Sequence, residues 1–195
     1  MAADLFTLSE LASYLQRDLD TSSALLAQTT AQGIVRAYCR QDITTGTYVA
    51  ANLPIVAQGA YWQVTLPQRP VTAVSSVAVN GTTYTLGTDY AWNGSSPTIK
   101  LARLVYTSAA FQDDPRATVT YTAGYATAPL DVKGVALAVA ARQYDNPRGL
   151  RMESIDDYSG TRAGSDDDLA GVSLLLPEKA VLDRYRVTAG SVVLR

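Results

Sequence analysis

The chain has 195 residues, of which 16 are basic and 18 acidic, so its formal net charge is −2. It contains no histidine and a single cysteine, which excludes histidine-activated nucleophiles, histidine metal ligands, internal disulfides and thiolate zinc clusters. With 47% hydrophobic residues it is expected to fold as one domain, residues 1–195, without the positive charge needed to coat nucleic acid.

The N-terminal 40 residues predict two helices. Thr7 and Glu10 have the spacing of a capping box, and apolar residues then recur at helical intervals, which predicts a first helix ending near residue 18. A second, longer helix is predicted over residues 20–40, starting at a cluster of capping residues.

The apolar face of the second helix is built mainly from alanine. Such a face permits close packing of helices, and Gly33 would cost about 1 kcal/mol within the helix unless it served such an approach. Cys39 lies in the same pattern and is interpreted as a small buried hydrophobe rather than a reactive thiol.

A β region is predicted over residues 44–125, where the hydrophobic period changes to two. Alternating runs predict strands at residues 61–66, 77–79, 82–86, 98–101 and 117–121. Asn80-Gly81 lies between two of these runs and is a strong hairpin signal, because both turn positions need a positive φ. The predicted strands form a small antiparallel region inserted between the second and third helices.

The C-terminal third predicts two more helices around a polar segment. A third helix runs from residue 129 to residue 145 and stops at Asn146-Pro147, because proline disfavours helix before it. A fourth is predicted over residues 177–185. The predicted fold class is therefore α+β: a small bundle of about four helices with the β region inserted.

Three acidic pairs or triplets and one glycine-rich run are possible sites by composition. The clusters lack the alternating ligand spacing of a calcium loop, adjacent carboxylates point apart, and the glycine run lacks the ending of a phosphate loop. We interpret them as solvated turns and loops, and we predict no catalytic, cofactor-binding or metal-binding residues. They are Asp113-Asp114, Asp156-Asp157, Asp166 to Asp168, and Gly160 to Gly164.

Three arginines, Arg142, Arg148 and Arg151, surround the end of the third helix. Cations there are favoured by the helix dipole and by local ion pairs. The alternative is a ring of positive charge contributed by many subunits beside a DNA path.

The order of the elements and three short motifs resemble tailed-bacteriophage head-tail connector proteins, the head-to-tail adaptor or head-completion family. The motifs are Val-Thr-Tyr-Thr-Ala-Gly-Tyr at residues 119–125 leading into Pro129, Gln-Tyr-Asp-Asn-Pro at 143–147, and Leu-Asp-Arg-Tyr-Arg at 182–186. The resemblance covers nearly the whole chain, although the β region is larger than in the smallest members.

This resemblance implies a non-enzymatic structural protein of the virion neck, at the portal-tail junction, made in the host cytoplasm. It implies a dodecameric ring that docks beneath the portal protein, with a stopper or tail-completion protein below it. Genomic DNA would pass through the channel without sequence-specific binding, and neither a cofactor nor a membrane is implied. No apolar run is long enough for a membrane span.

The resemblance also directs attention to the C-terminal third. The assembly loop is expected at residues 148–176 and the docking tail at residues 187–195, whose β-prone end either caps the β region or adds a strand to a neighbour. Arg142 is predicted to face the channel. The residues predicted to contact the portal or a neighbouring copy are Arg148, Arg151, Tyr158, Arg162, Tyr185, Arg186, Val192, Val193 and Leu194.

A second hypothesis comes from another class of protein. A stand-alone β-type module of a virion or cell surface would bind carbohydrate or protein through exposed Trp62, Tyr90 and Trp92, as a monomer. Deleting the residues after Arg186 would leave its ligand binding unchanged, whereas the adaptor hypothesis predicts lost docking.

Overall fold

The computed structural model describes residues 3–102, 115–147 and 173–187, together with the backbone of residues 152–155 and 158–161. Within it the chain divides into two compact units. We call residues 1–3, 41–127 and 187–195 the sheet unit, and residues 4–40 and 128–186 the helical unit.

The two N-terminal helices begin at the predicted caps. Helix α1 spans Leu8–Leu15, and its capping box is confirmed: Glu10 N–H donates to Thr7 Oγ1 at 3.2 Å while Thr7 N–H donates to Glu10 Oε2 at 2.8 Å. Helix α2 spans Thr21–Cys39, and the Asp20 carboxylate accepts from Ser23 N–H at 2.8 Å. Side-chain caps satisfy amide groups that a helix start otherwise leaves without partners.

The C-terminal helices also lie close to their predicted positions. Helix α3 spans Leu130–Asp145, and helix α4 spans Leu176–Leu182 and continues as a 3₁₀ turn, Asp183–Tyr185. Contacts between helix ends fix the directions: α1 runs parallel to α3, whereas α2 and α4 run antiparallel to it.

Small residues fill the interface between α2 and α3. Ala24, Ala27 and Ala31 on α2 and Ala136 and Ala140 on α3 are all buried. This confirms the close packing that the alanine face predicts. Gly33 does not contribute to it, because a Cβ built there meets no atom within 4 Å. Among the described residues Gly33 therefore serves no close approach of helices, and its predicted cost of about 1 kcal/mol applies.

The sheet unit contains seven strands, all antiparallel to their neighbours, in the order β4-β3-β7-β1-β2-β6-β5. Their bounds are β1 Gly46–Gln58, β2 Tyr61–Thr65, β3 Val71–Val79, β4 Thr82–Tyr84, β5 Tyr90–Ala91, β6 Thr98–Leu101 and β7 Arg116–Ala123. The predicted Asn80-Gly81 turn joins β3 to β4, with φ of 49° and 82°.

Strand β1 connects the two halves of the sheet. Its first part pairs with β7 and its last part, Ile55 to Gln58, pairs with β2. Between them the register shifts at Ala50/Leu53, where Asn52 has a φ of 57°. A bulge of this kind bends a strand and increases its twist, so β1 can serve both halves.

The predicted fold class, a small helical bundle with an inserted β region, is wrong. The β region is not a small insertion in a helical bundle, because seven strands form a nearly closed, barrel-like sheet that dominates the structure. Its inner face supplies a large hydrophobic core that includes Val64, Val77, Ile99 and Tyr121. The sequence pattern predicted five runs and missed two strands: β1, since the bulge breaks its alternation, and β5, which has only two residues.

Two further strands, β8 Met152–Ile155 and β9 Tyr158–Thr161, pair antiparallel as a two-stranded sheet. They lie inside the segment predicted to be a loop without regular structure, so that prediction is wrong for these eight residues. Short runs of this kind carry too little hydrophobic periodicity to be recognised.

Candidate assembly interface

Helix α4 is attached to the end of α3 by a partly buried ion pair. Arg142 Nη1 and Nη2 donate to Glu178 Oε1 and Oε2 at 2.6 and 2.8 Å, and Nη2 also donates to the Ser173 carbonyl at 3.3 Å. Glu178 Oε2 accepts from Leu175 N–H at 2.9 Å. One carboxylate therefore closes the first turn of α4 and binds it to α3, in the bidentate geometry that arginine favours.

The other end of α4 is held at the start of α3. Tyr185 Oη donates to both oxygens of Asp131 at 2.9 Å, and Arg184 Nη1 lies 3.8 Å from Asp131 Oδ2. The closing Tyr-Arg motif therefore includes an internal contact of the helical unit.

The same 3₁₀ turn contacts the end of α2. Tyr38 Oη donates to Asp183 Oδ1 at 2.6 Å, and this bond to a carboxylate raises the pKa of the Tyr38 hydroxyl above its ordinary value. The Arg186 guanidinium lies over the Tyr38 ring, 5.1 Å from its centroid. Asp183, Tyr185 and Arg186 thus connect three helices at one end of the unit.

The structure places the predicted channel residue, Arg142, and two of the predicted contact residues, Tyr185 and Arg186. All three make the contacts described above, and Arg142 is more enclosed than Arg186, through its pair with Glu178. For Tyr158 only the backbone, in β9, is described. The others lie outside the described residues: Arg148, Arg151, Arg162, Val192, Val193 and Leu194. Their roles remain predictions.

A cleft opens where α2 begins and α3 ends. Its volume is about 270 Å³, and it is lined by Ser23, Leu26, Ala27, Gln143, Tyr144 and Pro147. Leu26 is 64% exposed although it lines the cleft. Gln143 Oε1 is buried there and accepts no hydrogen bond from any described residue. The cleft therefore combines an apolar side, formed by Leu26, Ala27 and Pro147, with the polar residues Ser23, Gln143 and Tyr144.

Two leucines at helix starts project from the helical unit. Leu130, the first residue of α3, is 83% exposed, and Leu176, the first residue of α4, is 80% exposed. Sequence reasoning named neither of them, nor Leu26. A signal was present, because each falls off the apolar stripe of its helix: the stripe of α3 begins at Val132, and that of α2 follows Ala24 and Ala27.

The outer face of the sheet is uncharged in the middle rows of its central strands, away from Arg116 at the start of β7. Residues pair in rows across β1, β7 and β3. One row consists of Thr47, Thr122 and Ala73, and another consists of Val49, Thr120 and Ser76. Val49 is well exposed on this face. Outward faces of antiparallel sheets normally carry charged residues, so these rows form a second surface suited to contact.

The aromatic residues of the second hypothesis are not exposed as it requires. Tyr90 is buried, and Trp62 and Trp92 pack partly buried against the sheet core. Trp92 Nε1 also donates to the Ser96 carbonyl at 2.8 Å. The prediction of an exposed aromatic binding face is therefore wrong, because these rings complete the core.

Titratable groups in the described part of the chain form no cluster of ligands for a metal ion. Cys39 is buried as predicted, and burial raises the pKa of its thiol to about 11. The acidic clusters that the sequence suggested, at residues 113–114, 156–157 and 166–168, lie outside the described residues. No described helix is long and apolar enough to cross a membrane.

Comparison with known proteins gives a likeness of fold. No protein-family model and no curated protein matches the sequence. Two solved structures contain similar chains. One, "Neck of empty GTA particle computed with C6 symmetry", has a chain 16% identical that aligns over 97% of this chain and 96% of its own length, with a TM-score of 0.58. In the other, "Virion of native gene transfer agent (GTA) particle", the identity is 16%, the coverages 95% and 91%, and the TM-score 0.60. At this identity the likeness shows the shared fold.

Proposed function

We propose that this chain is a structural protein of a phage-like particle neck, acting as a head-to-tail adaptor. In this role it forms a ring beneath the portal, joins the capsid to the tail and lets DNA pass through the centre. The observation that carries the proposal is the fold shared with a chain of a particle neck over nearly the full length of both chains.

Because a fold alone does not imply a function, the features of this chain must also agree. The polar groups that converge in the helical unit, such as Arg142 with Glu178 and Tyr185 with Asp131, bind helices to one another. Three features of the described surface, which are the cleft, the projecting leucines and the uncharged sheet rows, are mainly apolar or uncharged. This arrangement suits a subunit that packs against other proteins.

The expected ring has twelve copies, a number that follows from the family resemblance. A twelvefold ring is compatible with a sixfold axis, and the neck of the first similar structure was computed with C6 symmetry. The portal above, a stopper or tail-completion protein below, and contacts through residues 148–176 and 187–195 belong to the same proposal. The modest formal charge of −2 would let DNA slide past, because dense lysine or arginine would bind its phosphates.

Removing the gene from a cell that produces the particle tests the proposal. Filled heads and separate tails are expected to accumulate, and purified chain added to the extract is expected to restore joined particles. Joined, infectious or transfer-competent particles formed without the chain would contradict the adaptor role.

A further inference from the structure

We infer that neighbouring copies of this chain pack head to tail through α3, with Leu130 of one copy seated in the cleft beside Leu26 of the next. This deepens the proposed function, on which it rests, by naming the surface that joins copies in the ring. The occupant of the cleft is a second copy of this chain.

The two surfaces lie at opposite ends of one rigid element. Leu130 begins α3, and Gln143 and Tyr144 line the cleft at its other end. A helix of 16 residues separates its ends by about 24 Å. Because the donor and acceptor surfaces differ, the contact is heterologous, and repeated heterologous contacts close into a ring when the rotation between copies permits.

The charges of the helical unit favour this orientation. Its described residues include eight basic and eight acidic side chains, and they divide unequally between the ends. The cleft end has a formal charge of −1, from Arg17, Arg142, Lys179, Asp18, Asp20, Asp145 and Glu178. The Leu130 end has +1, from Arg36, Arg40, Lys133, Arg184, Arg186, Asp4, Glu10, Asp131 and Asp183. Opposite ends attract and like ends repel, so copies align head to tail.

Three leucine-to-glutamine variants of the full chain test the contact. Sedimentation equilibrium at low salt is expected to show wild-type chains associating as their concentration rises toward the millimolar range. Leu130→Gln replaces the projecting apolar side chain by a polar one, and Leu26→Gln makes the lining of the cleft more polar. Each change is expected to raise the dissociation constant at least about tenfold. Leu176→Gln alters an equally exposed leucine outside the contact and is the matched control. Circular dichroism melting checks that all three remain folded.

Mixing the variants gives the sharpest result. Leu26→Gln chains keep Leu130, and Leu130→Gln chains keep the cleft, so a mixture is expected to form one-to-one pairs that neither variant forms alone. Raising the salt concentration is expected to weaken these pairs. Wild-type chains that stay monomeric, a mixture without pairs, or an equal loss in Leu176→Gln would each overturn the inference.

The outcome separates this inference from the proposed function. If the chain occupies the neck but Leu130→Gln still builds normal necks, the inference fails and the adaptor role stands. If particles lacking the chain join normally, the adaptor role fails, whereas the mixing result is unaffected.

Discussion

One residue, Gly124, explains why the Tyr-x-Ala-Gly-Tyr motif contains a glycine. In the Tyr-x-Ala-Gly-Tyr stretch, Gly124 has a φ of 106°, and a Cβ built there would lie 2.4 Å from the Thr44 carbonyl oxygen. Its N–H donates to the Pro70 carbonyl at 2.8 Å, and the next N–H, of Tyr125, donates to the Ile43 carbonyl at 2.8 Å. The glycine allows the backbone to approach closely where the chain leaves β7.

Replacing Gly124 by alanine is therefore expected to destabilise the chain by about 3 kcal/mol, through backbone strain and a clash with main-chain atoms that cannot move aside. Urea unfolding of both chains measures the change in the free energy of unfolding. A variant within about 0.5 kcal/mol of wild type would show that the backbone there relaxes readily.

Gly33→Ala is the matched control for Gly124→Ala, because it is expected to change the stability in the opposite direction. It lies in the interior of α2, and a methyl group added at its Cα would meet no atom of the described residues within 4 Å, so Gly33→Ala is expected to stabilise the chain by about 1 kcal/mol. The same urea experiment measures it. Destabilisation by Gly33→Ala would mean that another surface packs against this face.

Glu10 predicts how stability depends on acid. Its carboxylate accepts from Lys133 Nζ at 2.7 Å and from Thr7 N–H, and these bonds, the lysine's first, hold the pKa of Glu10 below its ordinary value. Because the pKa is lower in the folded chain, the ionised carboxylate stabilises the fold. This stabilisation is fully present at pH values above the unfolded-state pKa, about 4.3, and is lost as the pH falls through the folded-state pKa.

Glu10→Gln is accordingly expected to lower the melting temperature at pH 7 and to leave it nearly unchanged at pH 3, where the wild-type carboxylate is also protonated. Lys133→Gln, which removes the main cause, is expected to return the Glu10 pKa toward its ordinary value in an NMR titration. Equal losses at both pH values would assign the effect of Glu10→Gln to packing instead.

At the scale of elements, the start of α4 is held in position by one ion pair. Arg142→Gln leaves Glu178 in a largely buried place without its cation, at a cost on the order of 3 kcal/mol. Hydrogen exchange of residues 176–185 is expected to accelerate, while that of α2 changes less. Glu178→Gln is the matched variant, since its amide oxygen can still accept from Leu175 N–H.

The two changes together test the pairing itself. Arg142→Gln combined with Glu178→Gln is expected to cost less than the sum of the single changes, because no lone charge remains. Strict additivity of the two free-energy changes would show that the residues act independently.

The elements also show what a sequence can and cannot reveal. Local signals predicted α1 from its capping box, the end of α3 from Asn146-Pro147 and one hairpin from Asn80-Gly81, because each depends on neighbouring residues. Strand β1 was missed because its bulge shifts the period, and the barrel-like sheet was missed with it. The Arg142–Glu178 pair joins residues 36 apart across a polar segment, and no local pattern encodes such a contact.

On the scale of the whole molecule, the C-terminal tail offers a test that leaves the helical unit intact. Ending the chain after Arg186 keeps Tyr185, Arg186 and their contacts with α2 and α3. The shortened chain is expected to remain folded by circular dichroism but to lose its ability to join heads to tails in an extract lacking the full chain. Joining at the wild-type rate would show that residues 187–195 are not needed for docking.

The most direct test of the neck assignment is a cryo-electron microscopy map of purified particles, refined around the portal-tail junction. The expected result is a ring of copies of this chain below the portal, with α1 to α4 and the seven-stranded sheet fitting each repeat of the density. Density for this chain elsewhere in the particle, or a junction whose repeats do not fit this fold, would contradict the neck assignment.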